Sequence, residues 1–241
     1  MIASQLDDVR RRITAAAHAA HRNPGDIRLI AVSKTFPAED VLTAAAAGQR
    51  DFGENRVQEG LTKIDATRTA PGLEWHLIGH LQTNKAKKAA AAFAWIHSVD
   101  SVELMQKLDA GAADAGTRPR VLIQVDLAHE ATKSGADAAD VRAIADAALN
   151  GRAVQLAGLM IVPPIVDDPN DARPWFRQLR ELRDRLVANG VPAANLRELS
   201  MGMSHDFEAA IAEGATMIRV GSAIFGKRDY PAPAPVPTAQ G

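Results

Sequence analysis

The sequence predicts an α/β fold, a single closed (β/α)8 barrel of the TIM type with an extra N-terminal helix. Two observations carry this expectation. Eight units of strand followed by helix succeed one another over about 200 residues, which suits one closed parallel barrel better than two small domains. Polar and glycine residues gather just after the strand runs, at Lys34, Glu54-Asn55, His80-Gln82-Asn84, Ser98, Asp126, Pro163-Pro164, Ser200 to Ser204 and Arg219 to Ser222. Barrels keep their sites at these strand ends. The rival architecture is an open doubly wound sheet of eight strands.

Residues 2 to about 22 read as an amphipathic helix, because Ile2, Leu6, Val9 and Ile13 recur at three- and four-residue spacing. It decorates the front of the barrel, where it would cap the bottom. Asn23-Pro24-Gly25-Asp26 is a turn. The first strand, 27–33, is a short apolar run that ends abruptly in Lys34; Pro37 and Glu39-Asp40 open a helix that Gly48 closes. Further strands are expected at 50–53, 75–79, 95–99, 120–125, 156–162, 196–200 and 216–220. The intervening helices fall near 57–64, 84–92, 102–115, 137–149, 175–188 and 206–213, with a short segment at 222–227. Alanine runs such as 15–17 and 44–47 favour helix, alanine having the best intrinsic propensity. The barrel is expected to span 1–228, and the proline-rich stretch 229–241 to be a disordered or extended tail that packs no core.

Composition narrows the function. Net charge is -1, so no nucleic-acid or anionic-membrane surface is indicated. There is no cysteine, which removes disulfides, thiolate catalysis and cysteine-ligated metals together. The first residues carry no signal-peptide pattern, and no apolar run approaches the roughly 20 residues that cross a bilayer. A soluble, cytoplasmic monomer is the expectation.

Lys34 alone reads as a solvated strand-end lysine. The seventh and eighth loops alter that reading. Ser204 is a good N-cap for the seventh helix, with Asp206 in its first turn, so helix capping explains this turn on its own. The functional reading adds an anion: glycines, hydroxyls and free backbone N–H groups in Ser200 to Ser204 and in Val220 to Ala223 form two adjacent nests, in the loops where barrels bind phosphate. Gly221-x-x-x-x-Gly226-Lys227 imitates a P-loop, but Arg228 stands where a magnesium-binding hydroxyl is needed. His76 and His80 would lie roughly 13 Å apart on a strand, too far to share a metal, and no metal site is expected. A neutral lysine amine forms a Schiff base with an aldehyde. Pyridoxal 5'-phosphate (PLP) and a sugar-phosphate substrate of an aldolase both combine aldehyde or ketone chemistry with a phosphate.

The motifs AVSKTFP around Lys34, FGENRVQE (52–59), WHLIGHLQTNK (75–85), GLMIVPP (158–164), LSMGMSHDFEAAI (199–211) and IRVGSAIFG (218–226) resemble those of the YggS/PROSC family. These are PLP-binding homeostasis proteins related to the N-terminal barrel of alanine racemase. The resemblance covers residues 3 to 228. It implies PLP held as a Schiff base on Lys34 and phosphate contacts from Ser200, the Met201 backbone, Ser204, Gly221 and Ser222. It also implies Arg219 near the pyridine nitrogen, with Asn55, His80 and Met160 around the ring. His205 departs from the family pattern and is expected to face outward; the sixth loop, Pro163-Pro164-Ile165, also departs from it.

An arginine is a donor only and does not keep the pyridine nitrogen protonated, as an electron sink requires. Racemisation also needs an acid/base group opposite the lysine, and the single tyrosine, Tyr230, sits in the proline-rich tail. A non-enzymatic carrier or buffer in PLP homeostasis is therefore expected, with PLP-dependent apoenzymes as candidate recipients. The alternative is a weak amino-acid racemase using Lys34 and a pocket group such as His80.

Overall fold

A computed structural model of the chain describes residues 1–128 and 134–226. The end of the expected barrel, 227–228, the tail 229–241 and Tyr230 lie outside the described residues.

The chain opens with α1 (Ile2–Ala19) and then alternates: β1 (Arg28–Val32), α2 (Ala38–Ala46), β2 (Asp51–Glu54), α3 (Val57–Ala66), β3 (Glu74–Leu77), α4 (Ala86–Ala92), β4 (Trp95–Val99) and α5 (Val102–Ala115). The second half continues with β5 (Arg120–Gln124), α6 (Val141–Leu149), β6 (Gln155–Met160), α7 (Arg173–Ala188), β7 (Glu198–Met203), α8 (Phe207–Ala212), β8 (Met217–Val220) and α9 (Ser222–Phe225). The strands pair in chain order, and β8 returns to β1 in parallel, from Arg28 opposite Met217 to Ala31 opposite Val220. That closing pair excludes the open sheet.

Side chains alternate between the lumen and the helical layer, because a strand repeats every second residue. Ile30, Trp95, Leu122, Met160 and Met217 fill the lumen as one cluster. Leu29, Phe52, Ile96 and Leu199 point the other way, into a continuous core beneath the helices. Fully burying each such side chain stabilises the fold by about 1.5–3 kcal/mol.

The N-terminal helix does not cap the bottom. α9 has four residues, too few to cover the β8–β1 seam. The eighteen-residue α1 packs against α8, α9 and α2 through Leu6, Val9, Ile13 and Ala17, and so takes the place of the missing eighth helix. Arg12 reinforces this position, pairing with Glu208 at 2.6 Å while its guanidinium lies 4.6 Å above the Phe207 ring.

Most boundaries follow the sequence pattern, with three shifts. β7 runs on to Met203 and β6 stops at Met160. α6 begins only at Val141, because Ala136 instead bridges in parallel to Val125. Among the described residues no helix is long and apolar enough to cross a membrane.

Candidate active-site mouth

A cavity of about 360 Å³ opens at the carboxyl ends of the strands. Its walls carry Lys34 after β1, Asn55 after β2, Ser204 and His205 after β7, Arg219 in β8, and Gly221 and Ser222 after β8; Val32, Ile78, Val162 and Met203 add apolar surface. A larger cavity, about 1150 Å³, lies at the opposite mouth, where Arg22, Arg28, Arg183 and Arg197 alternate with Asp26, Asp51, Asp184 and Glu198. That lining is balanced in charge and has no nucleophile, so the smaller cavity is the chemical one.

The turn that presents Lys34 is held from behind. Thr35 has φ 71°, a left-handed conformation disfavoured for a β-branched residue. Its N–H donates to Glu59 Oε1 at 2.6 Å. Lys63 Nζ donates to that same oxygen at 2.8 Å, to Glu54 Oε1 at 2.7 Å and to the Ser33 carbonyl at 2.7 Å. Ser33 Oγ donates to Glu54 Oε1 at 2.7 Å. This cluster lies on the outer side of β1 and β2, against α3, with Glu54 fully buried. Burial pushes the Glu54 carboxyl up, against the opposing pull of Lys63 and Ser33. Burial also pushes Glu59 up, but Lys63 and the Thr35 N–H outweigh it and hold this carboxyl below its ordinary value. Phe36, next in the turn, stacks on Phe225 of α9 at 5.2 Å, tying the first loop to the last.

The seventh and eighth loops are joined directly, since the Gly221 N–H donates to Ser204 Oγ at 3.2 Å. Ser204 is therefore not the N-cap expected from the sequence. Asp206 occupies that position, and its Oδ1 accepts the Met203 N–H at 2.6 Å. Among the described residues the amides of Ser204, Ser222 and Ala223 find no acceptor, which leaves them available to an anion. Gly202 makes the turn possible: its φ is 93°, and an added Cβ would lie 2.6 Å from that of Ala210.

Arg219 is almost fully buried. Its Nη1 donates to Ser200 Oγ at 2.6 Å and its Nη2 to the Ile161 carbonyl at 2.9 Å. Burial pushes its pKa down to about 10, with Asp206 opposing, so the guanidinium stays charged at neutral pH.

The structure places several expected site residues elsewhere. Ser200 lies in the lumen below the cavity, its hydroxyl engaged by Arg219 and by His97 at 2.9 Å. Met160 packs in the lumen layer with Leu122, while Met201 points outward into the helical core. His80 is exposed and turned toward Asp100, 3.5 Å from its carboxylate. His205 is exposed as expected, yet it also lines the cavity rim, where Nε2 donates to the Asp167 carbonyl at 3.0 Å.

One cluster of metal-ligating type escaped sequence reasoning. Asp51, Glu74 and His76 bring ligand atoms within 4.8 Å of one another at the far mouth. Arg28 Nη1 sits there instead, 2.7 Å from Asp51 and 3.2 Å from Glu74, and Trp95 Nε1 donates to Glu74 at 2.9 Å. The guanidinium supplies the cation.

The family model for the alanine racemase N-terminal domain matches residues 4–229. A pyridoxal phosphate homeostasis protein of Pseudomonas aeruginosa is 45% identical over 234 residues, 97% of this chain and 98% of that protein. One of Aquifex aeolicus is 42% identical over 226 residues, 94% of this chain and 98% of that protein. Among solved structures, PipY of Synechococcus elongatus with PLP bound superposes with TM-score 0.83 at 42% identity, over 94% of this chain and 100% of PipY. With those matches running almost end to end, the chain belongs to the alanine racemase N-terminal domain family and, within it, to the pyridoxal phosphate homeostasis proteins.

Proposed function

We propose that the cavity at the carboxyl mouth binds PLP and that the chain serves intracellular PLP homeostasis as a carrier or buffer. Three walls of the cavity match the three ends of the coenzyme: the Lys34 amine for its aldehyde, the donor-only Arg219 for its ring nitrogen, and the Ser204 and Ser222 turns for its phosphate. The volume falls within the ~300–1,000 Å³ of ordinary small-ligand sites. When bound, PLP supplies an aldehyde, an electron-withdrawing ring and a phosphate handle. Lys34 Nζ holds it as a Schiff base, a C=N bond forming with loss of one water. Asn55 borders the ring space, and Val32, Ile78 and Val162 exclude water from it.

The observation that carries the reading is the buried Arg219 sharing one small cavity with Lys34 and the paired Ser204–Gly221 turns. A bound PLP in the similar PipY supports it. Arg219 also favours carriage over turnover, because a guanidinium accepts no proton and leaves the ring nitrogen unprotonated. The racemase alternative drew on His80, which points to Asp100 away from the cavity. Exposed large apolar side chains among the described residues are scattered, at Met1, Leu149 and Ile165, in keeping with a monomer.

The visible absorption spectrum tests the reading. The purified protein shows a Schiff-base band that borohydride bleaches, and Lys34→Ala abolishes it. A colourless protein that takes up no added PLP overturns it. Exchange of the L-alanine α-proton in deuterated water at enzyme-like rates would replace the carrier with an enzyme.

A further inference from the structure

The lumen holds a line of polar side chains that runs from the far mouth of the barrel to Arg219. Asp51 Oδ1 lies 3.0 Å from His76 Nε2, and His76 Nδ1 lies 3.0 Å from His97 Nε2. His97 Nδ1 lies 2.9 Å from Ser200 Oγ, which in turn accepts from Arg219 Nη1 at 2.6 Å. These residues come from β2, β3, β4, β7 and β8, and His76, His97 and Ser200 are fully buried.

The two ends of the line fix its polarity. Asp51 is paired with Arg28 at 2.7 Å; burial pushes its carboxyl up, but His76 and Arg28 prevail and hold it below the ordinary value, so it only accepts. His76 must then carry its proton on Nε2. Burial lowers the pKa of both histidines, against Asp51 in the case of His76 and together with His76 and Arg219 in that of His97. A neutral His76 offers a lone pair at Nδ1, so His97 must be protonated on Nε2. A neutral His97 offers a lone pair at Nδ1, so the Ser200 hydroxyl must donate to it. Ser200 then accepts from Arg219, which has no acceptor to give. Protonating either ring would leave the Ser200 hydroxyl with no acceptor in the line.

We propose that Asp51, His76, His97 and Ser200 form one directional hydrogen-bonded chain that orients Arg219 from the opposite end of the barrel. They are positioning residues for the PLP site, and this role rests on the proposed coenzyme reading. Every bond points from guanidinium to carboxylate, so the bonds polarise one another in the same sense. The chain thereby supports a positive charge at Arg219, with Arg28 compensating Asp51 at the far end. It also fixes two of the arginine's N–H groups, together with the Ile161 carbonyl, which sets the direction of the rest.

The test uses the full chain without PLP, so its outcome is separate from that of the absorption experiment. Long-range nitrogen–proton correlation spectra of protein labelled with nitrogen-15 in histidine and arginine report each tautomer. At neutral pH, His76 and His97 are both expected as neutral rings protonated on Nε2. Asp51→Asn preserves that pattern, since its amide oxygen still accepts, whereas Asp51→Ala moves His76 toward the Nδ1-protonated form. Ser200→Ala abolishes slow exchange of the Arg219 Nη protons, and Ser200→Thr, which keeps the hydroxyl, restores it. A wild-type ring protonated on Nδ1 overturns the proposal, as do Arg219 signals that Ser200→Ala leaves unmoved. Should Asp51→Ala fail to fold, the wild-type tautomers and the Ser200 pair still decide between these outcomes.

Discussion

Lys63→Met tests the wall behind Lys34. The substitution keeps an apolar stem and deletes an ammonium that donates to Ser33 O, Glu54 Oε1 and Glu59 Oε1 at 2.7, 2.7 and 2.8 Å. Glu54 is fully buried, and its second oxygen, Oε2, has no hydrogen-bond partner even in the intact protein. Removing Lys63 takes away its neighbouring cation. Breaking a buried pair in this way costs about 3–5 kcal/mol, a loss of roughly 10²- to 10⁴-fold in the folding equilibrium. Making both partners neutral, in Glu54→Gln/Lys63→Met, leaves no buried charge and should recover most of it. Urea denaturation followed by tryptophan fluorescence measures both variants, with an unchanged slope confirming that stability alone has moved. The pH dependence has a definite sign. Burial raises the folded-state pKa of Glu54, so its contribution is fully present below the ordinary glutamate value of about 4.3 and is lost as pH rises through the raised value. The deficit of Lys63→Met therefore shrinks toward acid pH, where Glu54 takes up a proton. A single variant within about 1 kcal/mol of wild type, or a double variant no better than the single, would refute the account.

Three further outcomes follow from the geometry. In Gly79→Ala the new Cβ would lie 2.3 Å from the Asn55 carbonyl oxygen, so the second and third loops must part; PLP retention on gel filtration should fall, with about 1–3 kcal/mol of stability lost. Asp109 accepts the N–H groups of Arg152, Ala153 and Val154 at 2.9, 2.8 and 3.0 Å, and these outweigh burial to depress its pKa. Its contribution is present above the ordinary aspartate value of about 3.9 and lost as pH falls through the depressed one, so Asp109→Asn should flatten the acid limb of a stability profile measured by thermal melts. Leu122→Ala opens a cavity in the lumen layer and should cost about 2–5 kcal/mol in urea titrations.

The barrel was legible because each strand announces itself as an apolar run and each loop as polar or glycine residues. Lys34, Asn55, Ser204, Arg219, Gly221 and Ser222 stand just after strands or at their ends, and the fold brings all six to one cavity. Strand length was not legible. β7 extends three residues beyond its expected end, which makes Ser200 a mid-strand lumen residue and, by alternation, turns Met201 outward. Ser204 and Asp206 are both good caps, and local preference alone did not decide between them. The network at Lys63 and the chain through His97 join residues from separate strands and helices. Ser200 and His97 lie 103 positions apart, and no spacing rule spans that distance. The left-handed Thr35 had no signal either, since threonine is not a residue that advertises positive φ.

The β1–β8 seam gives the site a place in the order of folding. Lys34 and Gly221 are far apart in the chain, yet they follow strands that are direct neighbours, and the Phe36–Phe225 stack spans the same join. This pairing has the longest sequence separation in the sheet and hence a large loop-closure cost before any contact rewards it. A nascent chain cannot assemble the cavity until its last strand has emerged and met its first. A ligand gripped from both sides binds only the closed barrel, so it stabilises the native state in proportion to the logarithm of its concentration. Coenzyme supply would then set how long each copy survives, with loaded molecules outlasting empty ones.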